Sequence, residues 1–240
     1  MTWIKICGIT NPEDAHAAVN AGADALGFLF AESPRKVDTK TVRAIVSTLP
    51  RQVDRVGVFV NAEISPIIDA VVEGGLTAVQ LHGSESLDFA RALRGRFAGL
   101  SSPVKLIRAS RAPASEAGLA EALGWDPVAA GVVEVDPHSA QARPGVFSAL
   151  LVDSGSAVQA GGTGETFDWQ RTRTLLGMMQ GFAKVIVAGG LTPANVTAAV
   201  EIFHPWGVDV STGVEREPGR KDSEKVKQFI NAVRAVERKL

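Results

Sequence analysis

WIKICGITNPED, residues 3–14, holds a strand, a turn and a helix start in succession. Residues 3–7 are a short apolar run of the kind that sits in a sheet covered on both faces. Asn11 is a good N-cap, Pro12 fits the first helical position, and Glu13 and Asp14 lie where the positive end of a helix dipole favours them. The turn between, C-G-I-T-N-P, lacks the glycine fingerprint of a dinucleotide-binding first turn. The same unit recurs along the chain. Further strands are expected at 24–30, 55–60, 77–81, 103–108, 148–152, 184–188 and 207–210. Helices alternate with them: 63–73 carries Ile64, Ile67, Ile68 and Val71 at helical spacing with Pro66 obscuring its start, and Thr192 and Pro193 repeat the Asn11-Pro12 start. The last helix buries Val226, Phe229, Ile230, Val233 and Val236 and wets Lys225, Lys227, Arg234 and Lys239. Eight strands alternating with helices fit a closed barrel or an open doubly wound sheet; the strand count and the first turn favour a single α/β (β/α)8 TIM barrel.

The length agrees, since 240 residues suit one barrel domain spanning 1–240. Residues 110–147, rich in Ala, Ser, Pro and Gly, are expected to hold one helix near 114–123 and then an irregular connection before the sixth strand. Twenty-five basic against twenty-six acidic side chains leave a net charge of −1, which gives no surplus field for nucleic acid or an anionic membrane. No signal-peptide core and no run of eighteen uncharged apolar residues occurs, so a cytoplasmic protein is expected. A single cysteine, Cys7, excludes an internal disulfide and a multi-cysteine metal site.

In such a barrel the reacting groups sit where strands end, on the C-terminal face. Cys7 ends the first strand; it is a small buried hydrophobe or, with a modest depression of its pKa, a base near neutrality. Asp153 ends the sixth strand, as a turn carboxylate or as an acid whose proton an apolar mouth retains. Arg35 after the second strand is a solvated loop charge or a planar fork for a substrate carboxylate. His82 after the fourth strand is a packed histidine or a substrate contact. Gly189 and Gly190, with Ser211, Thr212 and Gly213, occupy the loops after strands seven and eight, the usual phosphate site of these barrels, against the alternative of ordinary tight turns. Gly162, Thr163 and Gly164, in the G-G-T-G of 161–164, would form a lid.

KICGIT at 5–10, GFLF with SPR at 27–35, VGVFVN at 56–61, VQLHG at 79–83, LLVDS at 150–154, GGTGETFDW at 161–169, AGGLTPANV at 188–196, and VDVSTGVE at 208–215 with GRKD at 219–222 together resemble phosphoribosylanthranilate isomerases. The likeness runs through nearly the whole chain in order, and 110–147 falls outside it. It implies a cofactor-free, metal-free Amadori rearrangement of a small phosphorylated aminosugar in tryptophan biosynthesis, by a monomer or homodimer. It also implies Cys7 as general base, Asp153 as general acid, Arg35 on the anthranilate carboxylate and the glycine loops on the phosphate. Thr212 stands where relatives often have serine, which keeps a hydroxyl. A related isomerase of histidine biosynthesis resembles a two-aspartate design, whereas this first strand ends in Cys7. A non-catalytic phosphosugar-binding barrel would keep the glycine loops and need neither Cys7 nor Asp153.

Overall fold

The computed structural model describes residues 1–111, 133–135, 142–153, 180 and 183–238. Eight parallel strands close into a barrel: β1 (Trp3–Cys7), β2 (Ala25–Leu29), β3 (Asp54–Phe59), β4 (Ala78–Leu81), β5 (Lys105–Arg111), β8 (Ala149–Asp153), β9 (Val185–Ala188) and β10 (Gly207–Val210). The ring closes where β1 pairs with β10, Lys5 lying beside Asp209. Each expected strand is present, displaced by a few residues at most. β5 runs to Arg111, into what read as the start of the connection, because it follows its neighbour up to the register pair Arg111 and Asp153.

The connection is not wholly irregular. Two of its pieces, β6 (Val133–Val135) and β7 (Ala142–Pro144), pair antiparallel. The helix expected near 114–123 lies outside the described residues. A second small hairpin, β11 (Glu215–Glu217) with β12 (Arg220–Lys221), follows the short 3-10 turn Thr212–Val214 at the end of β10.

The described helices are α1 (Pro12–Ala21), α2 (Thr39–Val46), α3 (Ile64–Gly74), α4 (Leu87–Phe97), α5 (Val196–Phe203) and α6 (Ser223–Glu237). Asn11 caps α1 as expected, its side chain accepting from the Asp14 N–H at 2.9 Å. Pro66 sits in the first turn of α3, where a missing N–H costs little. The Thr192-Pro193 start needs correction. The Asn195 side chain accepts from the Thr192 N–H at 2.7 Å and donates to the Gly190 carbonyl at 3.0 Å, so a tight turn comes first and regular helix begins at Val196. None of the described helices is long and apolar enough to cross a membrane.

Alternation along the strands divides the core in two. Ile4, Ile6, Leu26 and Phe28 point outward into the layer shared with the helices, where the α6 residues Val226, Phe229, Ile230, Val233 and Val236 are all buried. Ala25, Val56, Ala78, Ile107, Leu151 and Ile186 fill the barrel itself. Its N-terminal end is floored by Trp3 and Trp206, stacked 5.2 Å apart.

Candidate active site

β1 presents Trp3, Lys5 and Cys7 to the barrel interior, so the same alternation that floors the barrel carries a thiol to its other end. Gly8 follows with φ +79°, and both its N–H and that of Ile9 donate to the Gly27 carbonyl. A Cβ on Gly8 would lie 2.7 Å from Arg35 Cδ and 3.1 Å from Ser211 Oγ. Glycine here lets the β2 and β10 loops close over the strand end. Gly27 makes room in the same way, since a Cβ there would lie 2.6 Å from Cys7 Sγ and 2.9 Å from Lys5 Cε.

A cavity of about 510 Å³ opens at this C-terminal end. Cys7, Arg35, His82, Asp153, Gly189, Gly190, Ser211 and Thr212 all line it, drawn from six strand ends. Gly213 lies just behind the wall: a Cβ there would run into the Leu191 carbonyl oxygen, so glycine is what allows the loops after β9 and β10 to touch. Gly189 and Gly190 both hold positive φ, and this side of the cavity is largely main chain. Gly162, Thr163 and Gly164 lie outside the described residues.

Arg35 is no solvated loop charge: Nε and Nη2 donate to the two carboxylate oxygens of Glu215 at 2.8 and 2.6 Å. Glu215 also accepts from Lys221 Nζ at 2.8 Å. These two cations hold the Glu215 carboxyl below its ordinary range against the opposing effect of burial. Arg35 thus offers the cavity its remaining Nη1 edge, with the guanidinium plane fixed from behind.

The Cys7 thiol is buried, and burial pushes its pKa up, where a depression was expected. Lys5 and Lys221 pull against that push, while Asp209 adds to it. The resting group is therefore a protonated thiol within reach of two ammonium groups. Asp153 stands on β8, with its charge acting on His82 just beyond β4. His82 is held below its ordinary pKa, chiefly by burial, so it is neutral at pH 7.

The sequence reading missed the polar layer under the cavity. Lys5, fully buried, donates to Gln80 Oε1 at 2.8 Å and to Asp209 Oδ1 at 3.1 Å. Gln80 and Asp209 line the cavity floor. The available signal was a lysine, a glutamine and an aspartate inside otherwise apolar strands. Glu215 and Lys221 were visible only as parts of quoted motifs, with no charge partner in view.

Comparison with known proteins bears directly on this arrangement. The family model described as N-(5'-phosphoribosyl)anthranilate (PRA) isomerase matches residues 4–107 and 128–232. The chain belongs to this family. A phosphoribosylanthranilate isomerase from Geobacter sp. (strain M21) is 41% identical over 96% of this chain and 97% of its own. The crystal structure of the isomerase from Thermotoga maritima is 36% identical, with a TM-score of 0.78 over 98% of this chain and all of that one. A further crystal structure of the isomerase, in complex with reduced 1-(o-carboxyphenylamino)-1-deoxyribulose 5-phosphate, is 35% identical, with a TM-score of 0.76 over 98% of this chain and 100% of its own. The stretch that the family model leaves unmatched, 108–127, is shorter than the 110–147 expected to stand apart.

Proposed function

We propose that this cavity carries out the isomerisation of its family, converting N-(5-phosphoribosyl)anthranilate into 1-(2-carboxyphenylamino)-1-deoxyribulose 5-phosphate, with Cys7 as base and Asp153 as acid. Two proton transfers are needed. Asp153, in its protonated form, gives a proton to the ribose ring oxygen as the bond from C1 to that oxygen breaks and the anilino nitrogen donates its lone pair. Cys7, as the thiolate, takes the proton from C2, and the electron pair left behind neutralises the iminium; tautomerisation of the resulting enol gives the ketone. The observation that carries this reading is the meeting of Cys7 from β1 and Asp153 from β8 in one cavity, since a binding barrel has no use for both.

The substrate's anions fit the rest of the wall. Main chain at Gly189, Gly190, Ser211 and Thr212 suits a phosphate, for which backbone N–H groups are the usual donors. The Nη1 edge of Arg35 suits the anthranilate carboxylate, because Glu215 holds the guanidinium plane still. His82 supplies a neutral polar group to the same cavity. Incubating the purified protein with fluorescent N-(5-phosphoribosyl)anthranilate tests the reading: loss of substrate fluorescence with appearance of the ketose product is expected, and an unchanged substrate would refute it.

A further inference from the structure

The polar layer beneath the cavity constrains a proton above it. The Lys5 ammonium has three donors and no acceptor, so the Gln80 atom facing it at 2.8 Å must be the carbonyl oxygen. Asp209 fixes the ammonium in place from the neighbouring register position on β10. With Oε1 committed to Lys5, the other end of the amide, Nε2, lies 2.9 Å from His82 Nδ1. That NH2 group only donates, so Nδ1 must accept and carry no proton. A neutral imidazole with a bare Nδ1 has its proton on Nε2. Gln80 and His82 are two residues apart, one at the end of β4 and one just beyond it, so both project to the inner face and line the cavity.

We propose that Lys5 and Gln80 are positioning residues that fix the His82 proton on Nε2, so that the imidazole meets the substrate as a neutral hydrogen-bond donor to one of its oxygens. This rests on the reading above that the cavity is the substrate site. Protonation of His82 would set an Nδ1–H against the Gln80 NH2, so the relay also resists the cation. Around the ring, burial and the Lys5 charge oppose protonation, while Asp153, Asp209 and Glu85 favour it. The arrangement denies His82 the role of base and leaves proton abstraction to another group.

Nitrogen-15 NMR of histidine-labelled protein tests this, with His82→Asn assigning the signal among the four histidines. In the unsubstituted protein Nδ1 should show the shift of a bare acceptor and Nε2 that of a protonated nitrogen from pH 7 to 8. A proton on Nδ1 overturns the relay, and because this reading needs no change to the relay it stands even if a relay variant fails to fold. Gln80→Glu keeps an acceptor for Lys5 but replaces the donor facing Nδ1 by a second acceptor. It should raise the pH at which His82 titrates and, once His82 is neutral, leave Nε2 bare. Its kcat/KM should then fall about tenfold relative to the unsubstituted protein as pH rises through that titration. A ratio that does not change with pH overturns the catalytic role of the relay. Failure of the acid-base reading would appear separately, as active Cys7 and Asp153 variants with the His82 spectrum intact.

Discussion

At its N-terminal end the barrel is floored by Trp3 and Trp206, with Lys184 Nζ 4.6 Å from the centre of the Trp206 ring, whereas at the other end the same two strands finish in Cys7 and lead into Ser211 and Thr212. The floor is ring stacked on ring, with the Trp3 indole N–H donating to Asp54 Oδ2 at 3.2 Å. The mouth is built of polar side chains on short strand ends, each fixed by another polar group behind it. Arg35 is held by Glu215, Glu215 by Lys221, and Lys5 by Asp209 and Gln80. One strand pair serves both purposes because alternation carries each strand from stability to chemistry within a few residues. If so, changes at the two ends should separate cleanly, activity responding at one and stability at the other.

The largest effect should come from Asp153→Asn, which cannot give up a proton as a carboxylic acid does. A loss of kcat of about 100-fold or more is expected, with little change in melting temperature, by steady-state kinetics and thermal denaturation. Next comes Arg35→Ala, where loss of a charge-assisted contact should cost about 2 kcal/mol, or roughly thirtyfold in kcat/KM. Arg35→Lys should fall between, because it keeps the charge and loses the plane. Gly213→Ala should be smaller and of a different kind. Its Cβ forces the Leu191 carbonyl away, so KM should rise about tenfold with kcat nearly kept. At the floor, Trp206→Ala should leave kcat/KM within a factor of about two while lowering stability by about 2 kcal/mol, since the ring is only partly buried. A floor variant that loses activity without losing stability would break the division.

Much of this was legible in the sequence because barrel strands are continuous apolar runs that end in informative residues. Cys7, Asp153, Arg35, His82 and the glycine loops were all placed at the mouth by strand-end position alone, and the structure brings them to one cavity except Gly213, which stands behind it. What escaped was pairing across the barrel. Lys5 meets Gln80 75 residues away and Asp209 204 residues away, and Arg35 meets Glu215 after 180. No local spacing rule reports such partners, because only closure of the sheet makes them neighbours. The Thr192 misreading had a different cause, since the Asn195 side chain ties the Thr192 N–H and the Gly190 carbonyl into a turn before the regular helix begins.

The most direct test concerns the sole cysteine, whose alkylation reports on one site without ambiguity. Burial raises the pKa of this thiol, so its reactive thiolate should form only above the ordinary thiol value of about 8.5. The rate of alkylation by iodoacetamide should therefore climb with pH through an apparent pKa above that value, and activity should be lost in proportion to the thiol modified. Substrate should protect against alkylation, and Cys7→Ser should lose about 100-fold or more in kcat. Alkylated protein that keeps its activity, or a folded Cys7→Ser protein with undiminished kcat, would contradict the assignment of Cys7 as the base.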